Sequence, residues 1–191
     1  KTIDLTDKNP LEVLKKFTSS DIVIFTAHGH PDVYEDILSI KGVTYFDATC
    51  PKVKECFNAI RGSKETIYIG KRNHPEANAA LTQNDNVLFY DINEKFDYSK
   101  VKTDNPLIIN QTTLSFLELE DIHKEIKENI KNPNIIDEIC DATLLRQKAI
   151  NELGDDIDTI IIVGSKKSSN TMKLYEVAKK KHFNKAIYLL E

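Results

Sequence analysis

A cysteine-containing segment occurs twice in this chain, and this duplication constrains the fold more than any other feature of the sequence. Residues 46–50 (FDATC) and 139–143 (ICDAT) each combine a strand end, a cysteine beside Asp-Ala-Thr and the start of a helix. About twenty residues later each copy has a strand that ends in glycine, Gly70 or Gly164, followed by a polar loop. The two cysteines are 90 residues apart and the two glycines 94 apart. We interpret this as a repeated α/β module, although any two βα units share some of this pattern.

A third, incomplete copy is predicted at the beginning of the chain. Residues 25–29 (FTAHG) resemble the strand-plus-polar-loop half of the repeat, but no cysteine half precedes them. The repeat period would place that cysteine about forty residues before Lys1. We therefore predict three modules, with residues 1–49 as the last part of the first, 50–139 as the second and 140–191 as the first part of the third.

The hydrophobic pattern predicts alternating strands and helices. Short apolar runs predict strands at 22–27, 43–47, 66–70, 87–91, 107–110, 135–139, 159–163 and 186–190. This alternation is typical of small, mostly parallel sheets covered by helices on both faces, so repeated three-layer α/β modules are expected. The unbroken β-branched run at 159–163 predicts a strand buried on both faces. Ser115 and Glu118 form a capping-box pattern that predicts a helix start. Segment 71–106 is the least regular and is expected to carry loops.

Composition narrows the class of protein. The chain has 191 residues, 29% of them charged, and a net charge of −4, so a nucleic-acid partner is not expected. The sequence contains no apolar run near the roughly 18 residues that span a bilayer, and its first residues carry no apolar signal segment. Three cysteines are too few for a disulfide framework. These features predict a cytoplasmic protein without a membrane partner, in which thiols are free to bind metal or react.

The predicted strand ends carry an unusual load of polar side chains. In open α/β sheets, ligands bind beyond the carboxyl ends of the strands. If these ends converge, they form one polar cavity. The residues concerned are His28, His30, Cys50, His74, Glu76, Gln111, Thr112, Thr113, Cys140, Ser168, Ser169 and Asn170.

The cysteines are candidate metal ligands. Cys50 and Cys140 both precede a predicted helix, whose positive N-terminal end favours the thiolate form. Each cysteine alone could equally be a small buried hydrophobe, but the matched pair favours metal binding. Cys56 lies inside a helix and is expected to be structural. Because the sequence has no Cys-x-x-Cys hook, an iron–sulfur cluster suits these thiols better than zinc, with a zinc-binding interaction domain as an alternative.

The remaining candidates point to an anionic ligand and to proton transfer. His28 and His74 occupy equivalent repeat positions, which favours anion binding or proton transfer over an ordinary packed histidine. The segment 168–170 (SSN) opens a helix and predicts a phosphate cradle, although an N-cap explains it too. Glu76 could be a proton donor or a helix-stabilising acid, and 111–113 could be a simple capping loop. A non-catalytic phosphate-binding α/β module with buried structural cysteines is therefore the competing hypothesis.

Several of these motifs together resemble one enzyme family. They are Ala27-His28-Gly29, DATCP at 47–51, HPE at 74–76, QTTLS at 111–115, the Cys140 segment with Arg146-Gln147, and VGS-x-x-SSN at 163–170. In this order the set is similar to the LytB/IspH family of 4-hydroxy-3-methylbut-2-enyl diphosphate reductases. The resemblance implies a trefoil of three α/β modules around a 4Fe–4S cluster. It also implies reductive removal of the 4-hydroxyl group from the allylic diphosphate, giving isopentenyl and dimethylallyl diphosphates with electrons from ferredoxin or flavodoxin.

The resemblance also implies residue roles. Cys50 and Cys140 would be cluster ligands, Glu76 the central acid of a proton relay, and Thr112 the residue that orients the substrate hydroxyl. Gln111 would line the cavity. The diphosphate would be held by His28, His74, Ser168, Ser169 and Asn170.

The chain also departs from the family pattern. The family's first cluster cysteine, a following histidine and a C-terminal Ala-Gly-x-Ser segment are absent from the sequence. Asp141 stands where a tyrosine is usual, and Leu145 and Lys167 where asparagines are usual. We therefore expect a fragment of the enzyme that lacks the third cysteine ligand, holds a cluster poorly and turns over little or no substrate.

Overall fold

The structure, a computed structural model, describes residues 2–3, 5, 8–137 and 139–191. Helices and strands alternate along these residues, as the hydrophobic pattern predicts. Their bounds are α1 Pro10–Leu14, β1 Ile22–Phe25, α2 Val33–Ile40, β2 Thr44–Asp47, α3 Pro51–Gly62, β3 Thr66–Gly70, α4 Pro75–Ala80, β4 Val87–Asp91, β5 Leu107–Asn110, α5 Phe116–Asn129, β6 Asn134–Ile136, α6 Asp141–Asn151, β7 Thr159–Val163, α7 Ser169–Lys181 and β8 Ala186–Leu190.

The strands form three separate parallel sheets. The first pairs β1 with β2, the second has the order β4-β3-β5-β6, and the third pairs β7 with β8. Every pairing is parallel, with Ile24 opposite Phe46 in the first sheet and Ile67 opposite Ile108 in the second. The predicted α/β class with small parallel sheets is therefore confirmed. The module boundaries at 49/50 and 139/140 stay a prediction.

The middle sheet is covered on both faces. All five residues of β3 are buried, and successive side chains point to opposite faces, as the pleat requires. Ile67 and Ile69 belong to the core on the α5 side, and Tyr68 belongs to the core made with α3 and α4. This arrangement places the end of β3 and the loop to α4 above a rigid, fully packed support.

The two outer sheets are covered on one face only, which corrects the prediction for residues 159–163. Ile160 and Ile162 of β7 pack into the core with α7, but Ile161 and Val163 are 58% and 76% exposed. The unbroken β-branched run therefore forms a half-buried strand here. Ile22 and Ile24 of β1 are exposed in the same way. Within the described residues, the helices pack on the opposite face of each of these sheets.

Some element bounds also differ from the prediction. Strand β1 ends at Phe25 because the chain turns at once, with Gly29 N–H bonded to Thr26 O. Strand β6 stops at Ile136, while residue 138 of the predicted strand 135–139 lies outside the described residues, as do residues 1, 4, 6 and 7. The segment predicted as loops contains α4, whose six residues are too few to show a helical period.

Several helix starts are set by local sequence. Pro51 occupies the first turn of α3, directly after the N-cap residue Cys50, and Cys140 is the N-cap residue of α6. The capping box of Ser115 and Glu118 is present at the start of α5, which confirms that prediction. None of the helices in the described part of the chain has the length and apolar character needed to cross a membrane.

Gly29, which follows the first strand, packs closely against α3. Its φ is +79°, and a Cβ atom there would lie 2.6 Å from Cε2 of Phe57. We expect Gly29→Ala to lower the free energy of unfolding by about 2–4 kcal/mol, because it adds left-handed backbone strain to overpacking. Urea unfolding checks this against Gly62→Ala, since a Cβ at Gly62 meets no atom within 4 Å. Equal midpoints for the two variants would contradict the prediction.

Candidate functional site

The two cysteines at helix starts are tied to the ends of two strands. Cys50 N–H donates to Ala27 O at 3.1 Å, and Cys140 N–H donates to Thr112 O at 3.0 Å. Both side chains are partly exposed, neither is in a disulfide, and neither makes a side-chain capping bond. The backbone of Cys50 is thus bonded to the residue before His28, and the backbone of Cys140 is bonded to Thr112 itself.

Glu76 and Thr112 are joined by two short hydrogen bonds. Thr112 N–H donates to Oε1 of Glu76 at 2.8 Å, and the Thr112 hydroxyl donates to Oε2 at 2.8 Å. The Glu76 side chain lies in the first turn of α4, and Thr112 directly follows Gln111 at the end of β5. Glu76 is only 1% exposed. Its buried carboxyl group therefore accepts two hydrogen bonds from one residue, Thr112, at the neighbouring strand end.

Burial controls the protonation of Glu76. Removal from water raises the pKa of the carboxyl group above its usual value, although hydrogen bonds from Thr112 and Tyr68 act in the opposite direction. A raised pKa keeps more of the protonated form near neutral pH, which suits a group that donates protons.

Tyr68 is a contact that sequence reasoning missed. Its hydroxyl donates to Oε1 of Glu76 at 3.2 Å from the middle of β3. The available signal was a tyrosine in an otherwise apolar buried strand, since a buried phenol needs a hydrogen-bond partner.

His28 and His74 lie against each other although they are 46 residues apart in sequence. Their ring centroids are 5.2 Å apart with an interplanar angle of 81°. Burial lowers the pKa of His28; burial, together with the neighbouring charges of His28 and Lys71, lowers the pKa of His74 to about 4. Glu76 N–H donates to His74 Nδ1 at 3.3 Å, so a neutral His74 ring carries its proton on Nε2.

A chain of hydrogen bonds links the β5 end to the start of α7. Gln111 Nε2 donates to Thr113 Oγ1 at 2.8 Å, and Thr113 Oγ1 lies 3.0 Å from Ser169 Oγ. Gln111 Oε1 also accepts Lys71 N–H at 3.1 Å. Gln111 is fully buried with both ends of its amide bonded, so it orients Thr113 and the loop after β3.

The predicted phosphate cradle opens α7. Ser168 is the N-cap residue, and its hydroxyl accepts Thr171 N–H at 3.3 Å. The N-cap interpretation of this serine is therefore correct, and its hydroxyl proton is still available to a ligand. Asn170 Oδ1 is shielded from water and has no hydrogen-bond partner. A carbonyl oxygen only accepts hydrogen bonds, so Oδ1 needs a donor, while the NH2 group of Asn170 is the part of the amide that can donate to an anion at this positive helix end.

Lys173 fastens α7 to α5. Its ammonium group, on a side chain only 6% exposed, lies 2.9 Å from the carboxylate of Glu118 and 2.7 Å from that of Glu176. Glu118 is also the capping-box residue of α5. One buried cation thus holds the start of α7 against the elements that carry Thr112 and Thr113.

Two other residues considered in the sequence analysis, His30 and Cys56, lie outside this group of contacts. His30 stacks on Phe25 with centroids 3.6 Å apart and bonds Glu35 through Nε2 at 2.9 Å, so it belongs to the core of the first sheet. Cys56 is fully buried among the apolar side chains of α3, β3 and α4. This burial agrees with the structural role predicted for it.

These contacts bring together strand ends and helix starts from all three sheets, and comparison with known proteins identifies the family. The LytB protein family model matches residues 2–191. The chain belongs to the LytB protein family. The LytB resemblance drawn from the sequence motifs is therefore confirmed.

Named LytB relatives are reductases. The chain is 36% identical over 98% of its length to a 4-hydroxy-3-methylbut-2-enyl diphosphate reductase of Fusobacterium nucleatum, covering 23% of that protein. It is 38% identical over 92% of its length to the reductase of the same name from Shouchella clausii, covering 57% of it. This chain thus spans from about a quarter to somewhat over half of the length of these curated relatives.

Solved structures of reductases share the LytB fold. The E-1-hydroxy-2-methyl-but-2-enyl-4-diphosphate reductase from Plasmodium falciparum superposes with a TM-score of 0.80 at 27% identity, over 93% of this chain and 58% of that one. A second structure, of (E)-4-hydroxy-3-methyl-but-2-enyl diphosphate reductase, the terminal enzyme of the non-mevalonate pathway, gives a TM-score of 0.65 at 29% identity. The match covers 95% of this chain and 71% of the chain in that structure.

The metal ligands predicted from the sequence are Cys50 and Cys140. Among the described residues, no group of three or more His, Cys, Asp or Glu side chains is placed to hold a metal ion. Cys50 and Cys140 nevertheless fit two positions of a thiolate-bound cluster, because both thiols are partly exposed and their backbones are anchored at strand ends.

The buried histidine pair predicts a pH dependence of stability. Because the pKa of His74 is about 4 in the folded chain and near 6.5 when unfolded, the unfolded chain binds the extra proton first. Stability is therefore complete above about pH 6.5 and falls toward pH 4, by at most about 1.4 kcal/mol per pH unit for this group. Urea unfolding across this range should show a shallower slope for His74→Asn. Identical slopes in the two proteins would contradict the prediction.

Proposed function

We propose that this chain is part of a 4-hydroxy-3-methylbut-2-enyl diphosphate reductase. The reaction replaces the 4-hydroxyl group of an allylic diphosphate with hydrogen, giving isopentenyl and dimethylallyl diphosphates. It consumes two electrons and two protons and releases the hydroxyl group as water. Membership of the LytB family and the names of its relatives support this activity.

The observation that carries the proposal is the contact between Glu76 and Thr112. A buried carboxyl group with a raised pKa is bonded through Oε2 to a hydroxyl that can pass a proton on. When Glu76 is protonated on Oε2, this hydrogen bond reverses, so that Oε2–H donates to Thr112 Oγ1 and the Thr112 hydroxyl proton turns toward the substrate. Glu76 then gives its proton to Thr112 Oγ1 as the Thr112 hydroxyl proton moves to the leaving hydroxyl of the substrate. Thr112 is unchanged afterwards and Glu76 becomes a carboxylate. Thr112 also orients the substrate hydroxyl before the transfer.

The diphosphate is assigned to the groups around the relay. His74 offers its Nε2–H, and His28 lies against it. Ser168, Ser169 and Asn170 supply hydroxyl and amide N–H donors at the positive end of α7. Gln111 acts on the cavity by orienting Thr113, which bonds Ser169.

The electron supply is assigned to a 4Fe–4S cluster for which this chain provides two ligands, Cys50 and Cys140. When bound, such a cluster would deliver electrons from a small carrier protein, ferredoxin or flavodoxin, to the substrate. The chain's own contribution is to hold both thiols at helix starts tied to the strand ends beside His28 and Thr112.

The proposal keeps the predicted organisation and compartment. The three modules at 1–49, 50–139 and 140–191 each contribute one part of the site. The contact of His28 with His74 joins the first module to the second, and that of Thr113 with Ser169 joins the second to the third. A reducing cytoplasm fits two cysteines that stay out of disulfides.

Anaerobic reconstitution tests the proposal. The natural polypeptide that contains these residues is loaded with iron and sulfide, its iron and visible absorbance are measured, and reduction of the allylic diphosphate is followed with a chemical electron donor. Colour together with product formation supports the reductase. A colourless protein that binds inorganic pyrophosphate without turnover would support the phosphate-binding module instead.

A further inference from the structure

The phenol of Tyr68 is buried beside the carboxyl group of Glu76. Its ring is fully buried and packs against side chains of α3 and α4, among them Phe57 and Ile60. A Cβ atom at Gly70 would lie 3.0 Å from Cε1 of this ring, so the absence of a side chain at Gly70 leaves room for it. The ring fits into this space, and its hydroxyl donates to Oε1 of Glu76 at 3.2 Å.

The two carboxyl oxygens of Glu76 have different surroundings. Oε1 accepts from Thr112 N–H, which can only donate, and from the Tyr68 hydroxyl. Oε2 contacts the Thr112 hydroxyl, which can donate or accept. An acid proton on Oε1 would face the Thr112 N–H, which cannot receive it, and would require the Tyr68 hydroxyl to turn from donor to acceptor, whereas on Oε2 it would face an oxygen that can receive it.

We propose that Tyr68 is a positioning residue for the proton relay: by donating to Oε1, it confines the acid proton of Glu76 to Oε2, the oxygen that contacts Thr112. This inference rests on the proposed function, which gives Glu76 a relay to serve. The proton then has one route out of the carboxyl group, from Oε2 to Thr112 Oγ1. Without the phenol, Oε1 keeps one donor and the two oxygens compete for the proton.

Few other titratable groups face this contact. Cys56 on α3 is the other group that acts electrostatically on Tyr68. His74 precedes Glu76 by two residues and is paired with His28, and both rings stay neutral near pH 7 because burial lowers their pKa values. Thr112, from the β5 end, carries no charge. A change seen in Glu76 on removing the phenol is therefore assigned to that hydrogen bond.

Infrared titration of Glu76 tests the inference without requiring turnover. The carbonyl band of protonated Glu76 is assigned by its loss in Glu76→Gln. In Tyr68→Phe we expect this band to move to higher wavenumber, since its oxygen accepts one hydrogen bond fewer, and to broaden or split as the proton occupies both oxygens. The titration midpoint moves upward, because the carboxylate loses a donor.

The matched control is Tyr90→Phe, since Tyr90 donates to Glu125 on the other side of the same sheet. That variant should leave the Glu76 band and midpoint unchanged. If Tyr68→Phe does not fold, 3-fluorotyrosine at position 68 replaces it. This analogue keeps the shape and donates more strongly, so both shifts reverse sign. A Glu76 band and midpoint that move in neither variant would overturn the inference.

Kinetics separate this inference from the proposed function. With an active enzyme, Tyr68→Phe should lower kcat about tenfold and leave KM unchanged, because it removes one hydrogen bond to the Glu76 carboxyl group and none of the groups assigned to the diphosphate. If no variant or wild-type protein reduces the substrate, the proposed function fails while the infrared result still decides the role of Tyr68. Normal infrared shifts with unchanged kcat would show that the phenol orients the proton without serving catalysis, which also overturns the proposal.

Discussion

Replacement of Glu76 by glutamine is expected to lower kcat by at least about 100-fold while leaving pyrophosphate binding intact. Glutamine has the shape of glutamate but carries no transferable acid proton. Its amide oxygen can keep the bonds from Thr112 N–H and Tyr68, and its NH2 group can donate to the Thr112 hydroxyl in place of the bond that it receives now. The site should therefore keep its structure and lose only its proton source.

Steady-state reduction of the allylic diphosphate and calorimetric titration with pyrophosphate measure the two effects separately. Glu125→Gln is the matched control, since Glu125 accepts hydrogen bonds from two tyrosines, Tyr90 and Tyr98, away from the site. That variant should keep full turnover. Wild-type turnover in Glu76→Gln would remove the proton relay from the proposed mechanism.

Loss of the cysteine ligands is expected to have the largest effect of all. Cys50→Ser and Cys140→Ser should each remove most of the visible absorbance and bound iron after reconstitution and abolish turnover. A serine hydroxyl is a far poorer ligand for iron than a thiolate. Both side chains are partly exposed at helix starts, so the substitutions should cost little stability.

Cys56→Ala is the control for the cysteine variants, since that residue lies in the apolar core and is assigned no ligand role. It should lower stability by about 1–2 kcal/mol and keep the colour. Metal analysis separates the alternatives: a zinc-binding domain gives colourless protein with stoichiometric zinc. Colour that survives both Cys50→Ser and Cys140→Ser would contradict the cluster assignment.

Much of the fold could be predicted because its signals are local. Strands β3, β4 and β5 have the predicted bounds, since short apolar runs between turn residues leave few other choices. The capping box at Ser115 and the helix starts after Cys50 and Cys140 were equally readable. The extent of helix α4 could not be predicted, because its six residues end before a period can appear; its start was indicated only by Glu76 as a possible helix-stabilising acid after the N-cap residue His74.

Burial of the outer sheets could not be predicted from the strand sequences. The run at 159–163 is as apolar as a fully buried strand, yet Ile161 and Val163 are exposed. Whether a second face is covered depends on which helices pack there, and this information lies outside the strand itself. The same limit applies to His30. It follows a predicted strand, as the site residues do, but its ring stacks on Phe25 in the core.

By itself the sequence determined the alternation of strands and helices, the parallel sheets and the residue types at the strand ends. These follow from hydrophobic periodicity, turn residues and caps, which act over a few neighbouring residues. Only the tertiary structure decided which of those residues meet: His28 with His74, Thr112 with Glu76, and Tyr68 with the same carboxyl group. Such contacts join separate elements, so they depend on strand order and helix packing.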